Sequence, residues 1–311
     1  MAQKSFRTAV LLKMEATYGV DPVPAGATDA VLIRSATITP LDAQTEDRTV
    51  VKPYFGADEK LIVGQTVKID YEVELAGSGA LGTVPAWGPS ARVCGLAQTV
   101  NAGVSVTYGA PVSLGAESGA YYFHKDGILH KALGARGSQK IVLKAGGVPV
   151  IQYSVMSLYT GPADIGFPAQ TFTPWIKPVP VNNANTVAFS MHSYAGILTD
   201  LSIDIATKPT YKNLVGAERV DLEDSAITGQ ITVEMPAVAT KDFIGICKSG
   251  ALGIFTITHG TVVGNRVRLD SGAVQLLNPL YDDSSGDVRL SMDMVLVQRI
   301  TGELSFLMTV T

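Results

Sequence analysis

Asp70, Glu72 and Glu74, preceded by Lys68, are the first residues in the chain whose types and spacing could do chemistry. Paired carboxylates hydrolyse glycosides when they face each other across a cleft and one sits in an apolar pocket that raises its pKa. These three instead lie two apart within residues 67–75, where every odd position is apolar and every even position from 68 to 74 is charged. A strict period of two makes the segment a strand with one dry and one wet face. All three carboxylates then share the wet face, a geometry that suits a charged wall better than an acid–base pair.

The other chemical signals are weaker. Residues 77–82, GSGALG, match the glycine pattern of a dinucleotide-binding turn directly after a strand, but Pro85 and Pro89 interrupt the helix that should follow, and no acidic residue stands near position 100 to hold a ribose. A glycine hinge between strand and helix fits instead. His124, His130, His192 and His259 form no metal-ligand spacing, and no GxSxG elbow is present. Cys94 and Cys247 read as small buried hydrophobes in a reducing compartment. The residues point to a protein without catalysis or cofactor.

The elements that must position the charged strand are β-rich. The chain has 311 residues, 46% hydrophobic and 17% charged, with 31 Gly and 16 Pro, a turn-rich and charge-poor balance. That length exceeds one ordinary core and suggests two domains. The net charge is −4, and nothing resembles a basic nucleic-acid footprint. The N-terminal residues have only a brief apolar run broken by Lys13, which suggests neither a signal peptide nor a membrane span.

Along the chain, residues 8–14 read as a strand, residues 31–41 as a β-branched run, and residues 42–60 as a long polar connection. After the glycine hinge, Pro89 and Ser90 start a short helix that Gly95 ends. Further strands follow, with a tight hairpin at Lys125-Asp126-Gly127. Five prolines between 162 and 180 mark a linker, giving a first domain at 1–165, a linker at 166–185 and a second domain at 186–311.

The second half repeats the order of the first. Residues 196–206 answer the β-branched run, and residues 207–226 answer the long connection. Gly229-Gln230 and the strand after it answer Gly64-Gln65 and the charged strand, and the helix around Cys247 answers that around Cys94. Offsets drift between about 147 and 165 residues, as in a diverged duplication.

Three segments carry a family resemblance: ATYGVDPVP at 16–24, GQTVKIDYEVELAGSG at 64–79 and PAWGPSARVCGLAQ at 85–98. Together they resemble the tail tube (major tail) proteins of long-tailed bacteriophages, here with a duplicated tube domain. The resemblance implies a mostly β fold of two tandem β-sandwich or half-barrel domains, each with a short helix. Their strands would join across subunits into an inner β-barrel. It implies a structural virion protein whose stacked rings form a conduit for genomic DNA. The partners would be other copies, as three chains with pseudo-sixfold symmetry or six chains per ring, together with tape-measure and other tail proteins and transiently passing DNA. No membrane is involved, and assembly would take place in the bacterial cytoplasm. The alternative is a β-rich carbohydrate-binding or host-adhesion module, for which clustered exposed aromatics are expected, whereas Trp87 and Trp175 fall in a helix start and the linker.

A pore for DNA needs closed strand edges and a wet, acidic inner face that repels phosphates. Under the resemblance, Lys68, Asp70, Glu72 and Glu74 face the lumen, with Thr228, Gln230, Thr232 and Glu234 in the second half. Gln152, Ser154, Arg289, Ser291 and Asp293 continue that face. The dry faces, Val67 to Leu75 and Ile231 to Met235, would pack on the helices bearing Cys94 and Cys247. The two long connections become inter-subunit or inter-ring loops, carried by Arg48, Lys52, Asp58, Glu59 and Lys60, and by Lys208, Lys212, Glu218, Arg219, Asp221, Glu223 and Asp224.

Overall fold

The structure, a computed structural model, describes residues 4, 6–283, 286–298 and 305–311. The first half contains β1 (Thr8–Met14), β2 (Ala30–Val31), β3 (Ile33–Asp47), β4 (Lys60–Glu74), α1 (Gly88–Val93), β5 (Leu96–Asn101), β6 (Ser105–Pro111), β7 (Gly119–Lys125), β8 (Ile128–Lys144), β9 (Val150–Tyr159) and β10 (Ala163–Asp164). The second half contains β11 (Thr186–Met191), β12 (Leu198–Asp204), β13 (Thr207–Leu214), β14 (Ala217–Ser225), β15 (Thr228–Glu234), α2 (Phe243–Ser249), β16 (Leu252–His259), β17 (Val267–Asp282), β18 (Arg289–Leu296) and β19 (Leu307–Val310). The chain is mostly β, as its composition suggests, and among the described residues no barrel closes within a single chain.

One antiparallel run organises the molecule, in the order β3-β4-β9-β8-β12-β15-β18-β17. Its two halves meet where β8 pairs with β12, from Lys144 opposite Asp200 to Lys140 opposite Asp204. Strands β8 and β17 are long enough to serve two layers. The first part of β8 pairs with β7, and the first part of β17 with β16 and β19, while their later parts lie in the run. Bulges between Leu133 and Arg136 and between Leu277 and Leu280 mark these passages, since an extra residue bends a strand. The outer layer also links the halves, because β19 pairs with β6.

The core fills the space between the run and the outer strands, and a single cluster contains apolar residues from both halves. Val67, Ile69, Tyr71, Val73 and Leu75 are all buried, and each such side chain removed from water contributes roughly 1.5–3 kcal/mol. Across the layers the Tyr71 hydroxyl meets that of Tyr121 at 2.8 Å, and Tyr71 stacks on Tyr153 with 4.9 Å between ring centroids. Ala91, Val93 and Cys94 of the α1 region join this core. Pro89 stands in the first turn of α1. The side chain of Asp242 caps α2 by accepting from the Gly245 amide, and Gly250 ends it in the left-handed region.

The halves repeat each other in topology. Strands β3, β4, β9 and β8 follow one another as β12, β15, β18 and β17 do, and the same bulge recurs between Ile33 and Ser35 and between Leu198 and Asp200. Counting from that bulge corrects the sequence alignment. The spacing falls from 165 residues (Ile33 to Leu198) through 160 (Glu72 to Thr232) to 139 (Ser154 to Asp293), a wider drift than the sequence suggests. Gly64-Gln65 does not correspond to Gly229-Gln230, because Gln230 holds the ladder position of Asp70.

The glycine pattern at 77–82 has a packing reason. The Gly79 amide donates to the carbonyl of Gly264 at 2.8 Å, and the Gly77 amide to Asn265 Oδ1 at 2.7 Å. A Cβ at Gly77 would stand 2.2 Å from the Gly264 carbonyl oxygen. The proline-rich segment is likewise fastened along its length. The Thr171 amide donates to Gly26, Trp175 Nε1 to Ala30, and the Val181 amide to Gly147.

Candidate functional site

The charged strand is one part of a continuous polar face. Directly opposed residues in neighbouring strands share a face, so the ladder can be followed across the run. One row passes Ser35, Glu72, Gln152, Lys140, Asp204 and Thr228, and another Thr37, Asp70, Ser154 and Ser138. Beyond the β8–β12 junction, Ser202, Gln230 and Asp293 form one row, and Asp200, Thr232 and Ser291 a second. Glu234 lies opposite Arg289. The ladder therefore brings together Lys68, Asp70, Glu72, Glu74, Gln152, Ser154, Thr228, Gln230, Thr232, Glu234, Arg289, Ser291 and Asp293 on one face. A depression of about 370 Å³ in this face is lined by residues including Asp70, Glu72, Lys140, Gln152 and Asp204.

Several members of this face were not expected from the sequence. Ser35 and Thr37 on β3, Ser138, Lys140 and Lys144 on β8, and Asp200, Ser202 and Asp204 on β12 all belong to it. The alternation in LTDLSIDIA held the β12 signal. In β8 the bulge before Arg136 resets the phase of the alternation and hides it.

The electrostatics are milder than an unbroken acidic wall. Arg34 Nε stands 3.5 Å from Glu72 Oε1, and Lys68 Nζ is 2.6 Å from Asp42 Oδ2. Gln152 Nε2 donates to Glu72 Oε2 at 3.1 Å, and Asn278 Nδ2 to Asp293 Oδ2 at 2.8 Å. Arg34, Lys68, Lys140, Lys144 and Arg289 accompany Asp42, Asp70, Glu72, Glu74, Asp200, Asp204, Glu234, Asp282 and Asp293, so the face is acidic by four charges.

The two long charged segments are hairpins, a correction to their reading as loops. Beyond the run, β3 and β4 continue to pair from Asp42 opposite Thr66 to Asp47 opposite Lys60, leaving residues 48–59 as the tip. Arg48, Lys52, Asp58 and Glu59 lie in that tip, and Lys60 lies on β4. Ion pairs hold it together: Arg48 with Glu59 at 3.4 Å, Lys52 with Asp58 at 2.5 Å and Lys60 with Asp47 at 3.1 Å. The tip exposes Val51, Tyr54 and Phe55.

In the second half, β13 and β14 form their own two-stranded sheet, with Lys208 and Lys212 on the first strand and Glu218, Arg219, Asp221, Glu223 and Asp224 on the second. This hairpin lies on the first half of the same chain. Arg136 Nη1 donates to the Val220 carbonyl at 2.7 Å and reaches Asp221 Oδ1 at 3.2 Å, while the Val220 amide donates to the Tyr18 hydroxyl at 2.6 Å. Asn213 Nδ2 donates to the Val63 carbonyl at 2.8 Å. Burial works against charge on Asp221, but hydrogen bonds from Arg219 and Lys212 outweigh it and hold the carboxyl below its ordinary range.

Burial raises the thiols of Cys94 and Cys247, which keeps both protonated. Burial also lowers the pKa of His124, His130, His192 and His259, and His192 Nε2 and His259 Nε2 are engaged by the carbonyls of Val274 and Val179. Among the described residues no group of three His, Cys, Asp or Glu side chains could hold a metal ion, and no helix is long and apolar enough to cross a membrane. Trp87 is buried with Nε1 donating to the Ala76 carbonyl, and Trp175 is half-buried, so neither forms an exposed aromatic platform.

A family model described as phage tail tube protein covers residues 5–293. Among curated proteins none matches the chain.

Proposed function

Because the chain belongs to the phage tail tube protein family, a structural component of the virion tail that associates with itself and with other tail proteins, we propose that three copies close into a ring and that stacked rings form a conduit for DNA. The run of strands carries this reading. Its polar face passes unbroken through the β8–β12 junction, and its two halves repeat one strand order. Each half supplies four strands, so each chain supplies two of six similar sectors and three chains complete a pseudo-sixfold ring.

The size fits. Twenty-four strands spaced about 4.8 Å apart and tilted about 35–45° enclose a barrel roughly 45–50 Å across between backbones. That leaves room for a duplex after side chains are added. Six chains would double the circumference with no gain for a single DNA molecule. In this ring Asp70, Glu72, Glu74, Gln230, Glu234 and Asp293 face the bore, and their excess of acid keeps phosphates from forming lasting ion pairs. The hairpin tip at 48–59 and the hairpin β13–β14 lie outside the barrel and serve contacts between chains and rings. The halves act as two tube sectors joined by the proline-rich segment, and assembly takes place in the bacterial cytoplasm before incorporation into the virion.

Electron microscopy of the purified protein at high concentration tests the proposal. Rings or tubes with an open bore and three chains per ring are expected. Persistent monomers would overturn the conduit, and six chains per ring would overturn the sector count.

A further inference from the structure

The chain contains one junction between its halves already closed, and the two strand edges of the same kind still open. The closed one pairs β8 with β12. By the repeated order, β17 stands where β8 stands and β3 where β12 stands. These two strands are the ends of the run, and among the described residues no strand pairs with the far edge of β3 or with the far edge of β17 at Leu280 and Tyr281.

The closed junction fixes the register of the open one. In β8–β12, Lys140 lies opposite Asp204 and Ile141 opposite Ile203. Counting from the shared bulge, Asp204 corresponds to Thr39 and Ile203 to Ile38. Counting along the β9 and β18 ladders, Lys140 corresponds to Leu280 and Ile141 to Tyr281. We propose that the β17 edge receives the β3 edge of a second copy in antiparallel register, with Leu280 opposite the partner copy's Thr39 and Tyr281 opposite its Ile38. This deepens the ring reading and rests on it.

Burial agrees with an occupant of this kind. Ile141 and Ile203, inside the closed junction, are each 0% exposed, whereas Tyr281 is 54% and Leu280 68% exposed. Docking a second copy would cover Tyr281 with Ile38, as Ile203 covers Ile141, and would set Leu280 beside Thr39 on the polar face. Pro40 and Pro279 flank the register and cannot donate to a ladder, so pairing stops at Thr39.

Charge selects the right edge. The closed junction sets Lys140 and Lys144 on β8 against Asp204 and Asp200 on β12. The open edges carry the reverse polarity, with Asp282 ending β17 and Asp283 just after it, and Arg34 on β3 at the bulge. A β3 edge meeting β8 would place Arg34 among lysines, and a β12 edge meeting β17 would place acid against acid. Each wrong pairing is thus penalised by like charge, which favours chains joining head to tail.

Cysteine pairs read the register. Opposed residues stand about 4.5–5.5 Å apart at Cα, within disulfide reach, whereas a slip of two residues adds roughly 7 Å and exceeds it. Rings of the Thr39→Cys/Leu280→Cys double variant, oxidised and run without reductant, should give a covalent ladder ending at three chains. The out-of-register Ser35→Cys/Leu280→Cys variant should give at least several-fold less, and wild type, with Cys94 and Cys247 in place, none. Hydrogen exchange on unmodified protein gives a second reading, in which amides of β3 between Ala36 and Thr39 gain protection on assembly. Rings that form but cross-link best in the shifted pair, or leave β3 unprotected, overturn the register while the ring reading stands. Protein that forms no ring at any concentration overturns both.

Discussion

Removing the acid from the polar face tests the conduit most directly. The triple variant Asp70→Asn, Glu72→Gln, Glu74→Gln keeps side-chain shape and removes three negative charges per chain, nine in a three-chain ring. With the bore estimated above, a coaxial duplex would run about 10 Å from these groups, close to one Debye length at physiological salt. Two unit charges at that distance interact by about 0.4 kcal/mol in water, reduced to roughly 0.15 kcal/mol by screening. Nine such terms amount to about 1.4 kcal/mol per ring, near tenfold in residence, and the effect accumulates along a stack. The loss is specific to DNA passage, because all three side chains point away from the core that holds β4.

The assay is the escape of a short fluorescent duplex from purified tubes, supported by ejection rates from particles carrying the variant. The triple variant should assemble with unchanged ring spacing and release duplex more slowly at low salt, with the difference shrinking as salt shortens the screening length. Triple replacement by Lys at the same positions should double the effect. Unchanged release at every salt concentration would refute the repelling wall, and release limited only by bore width would then be the better account.

Further perturbations probe the framework that carries this face. Gly264→Ala would place a Cβ about 2.5 Å from the Gly79 backbone at a φ of +88°, and should cost at least about 2–3 kcal/mol in the urea midpoint. Gly103→Ala, whose φ is also positive but whose Cβ would meet nothing within 4 Å, should cost only about 1–2 kcal/mol. Arg136→Ala removes donors to the carbonyls of Val220 and Ala116 and an ion pair with Asp221. It should loosen β13–β14 by about 3 kcal/mol, seen as new proteolytic cleavage near Val215 and Gly216, and Arg136→Lys should not rescue it because the fork of donors is lost. Stability should fall as pH drops below about 6.5. Burial lowers the pKa of His124, His192 and His259 in the folded chain, so the unfolded chain binds more protons in that window. The His259→Gln variant should show a shallower acid dependence of its denaturant midpoint, and an unchanged slope would rule out His259 as a contributor.

What could be read from the sequence was local. The period of two in residues 67–75 gave β4 its wet and dry faces, the prolines and glycines gave α1 its ends, and Asp126-Gly127 gave the turn between β7 and β8, where both residues have positive φ. The pairing of distant strands left no such mark. Nothing in residues 140–144 names residues 200–204 as their neighbours, because register comes from tertiary packing and from bulges that shift the phase. The hairpins at 42–60 and 207–225 were hidden for a different reason. A strand exposed on both faces needs no apolar alternation, and charged, turn-rich segments read as loops even when their flanks pair as strands.

The repeat carries the same hairpin into two different settings. In the second half the hairpin β13–β14 lies on the neighbouring half of its own chain, fastened by Arg136, Tyr18 and Val63. In the first half the equivalent extension of β3 and β4 meets β13–β14 at Val63 and Gln65, but its tip leaves Val51 and Phe55 fully exposed. Similar topology should seek similar cover, and among the described residues no strand pairs with the far edge of β17 to supply it. In the proposed ring the exposed tip and the open β17 edge have one explanation, since the β17 edge receives the first half of the next copy and the tip lies on the second half of the preceding one. A six-chain ring of undivided sectors would use one interface six times. In a duplicated chain half of the junctions are intramolecular, and the charge reversal between β8 and β17 distinguishes the two kinds.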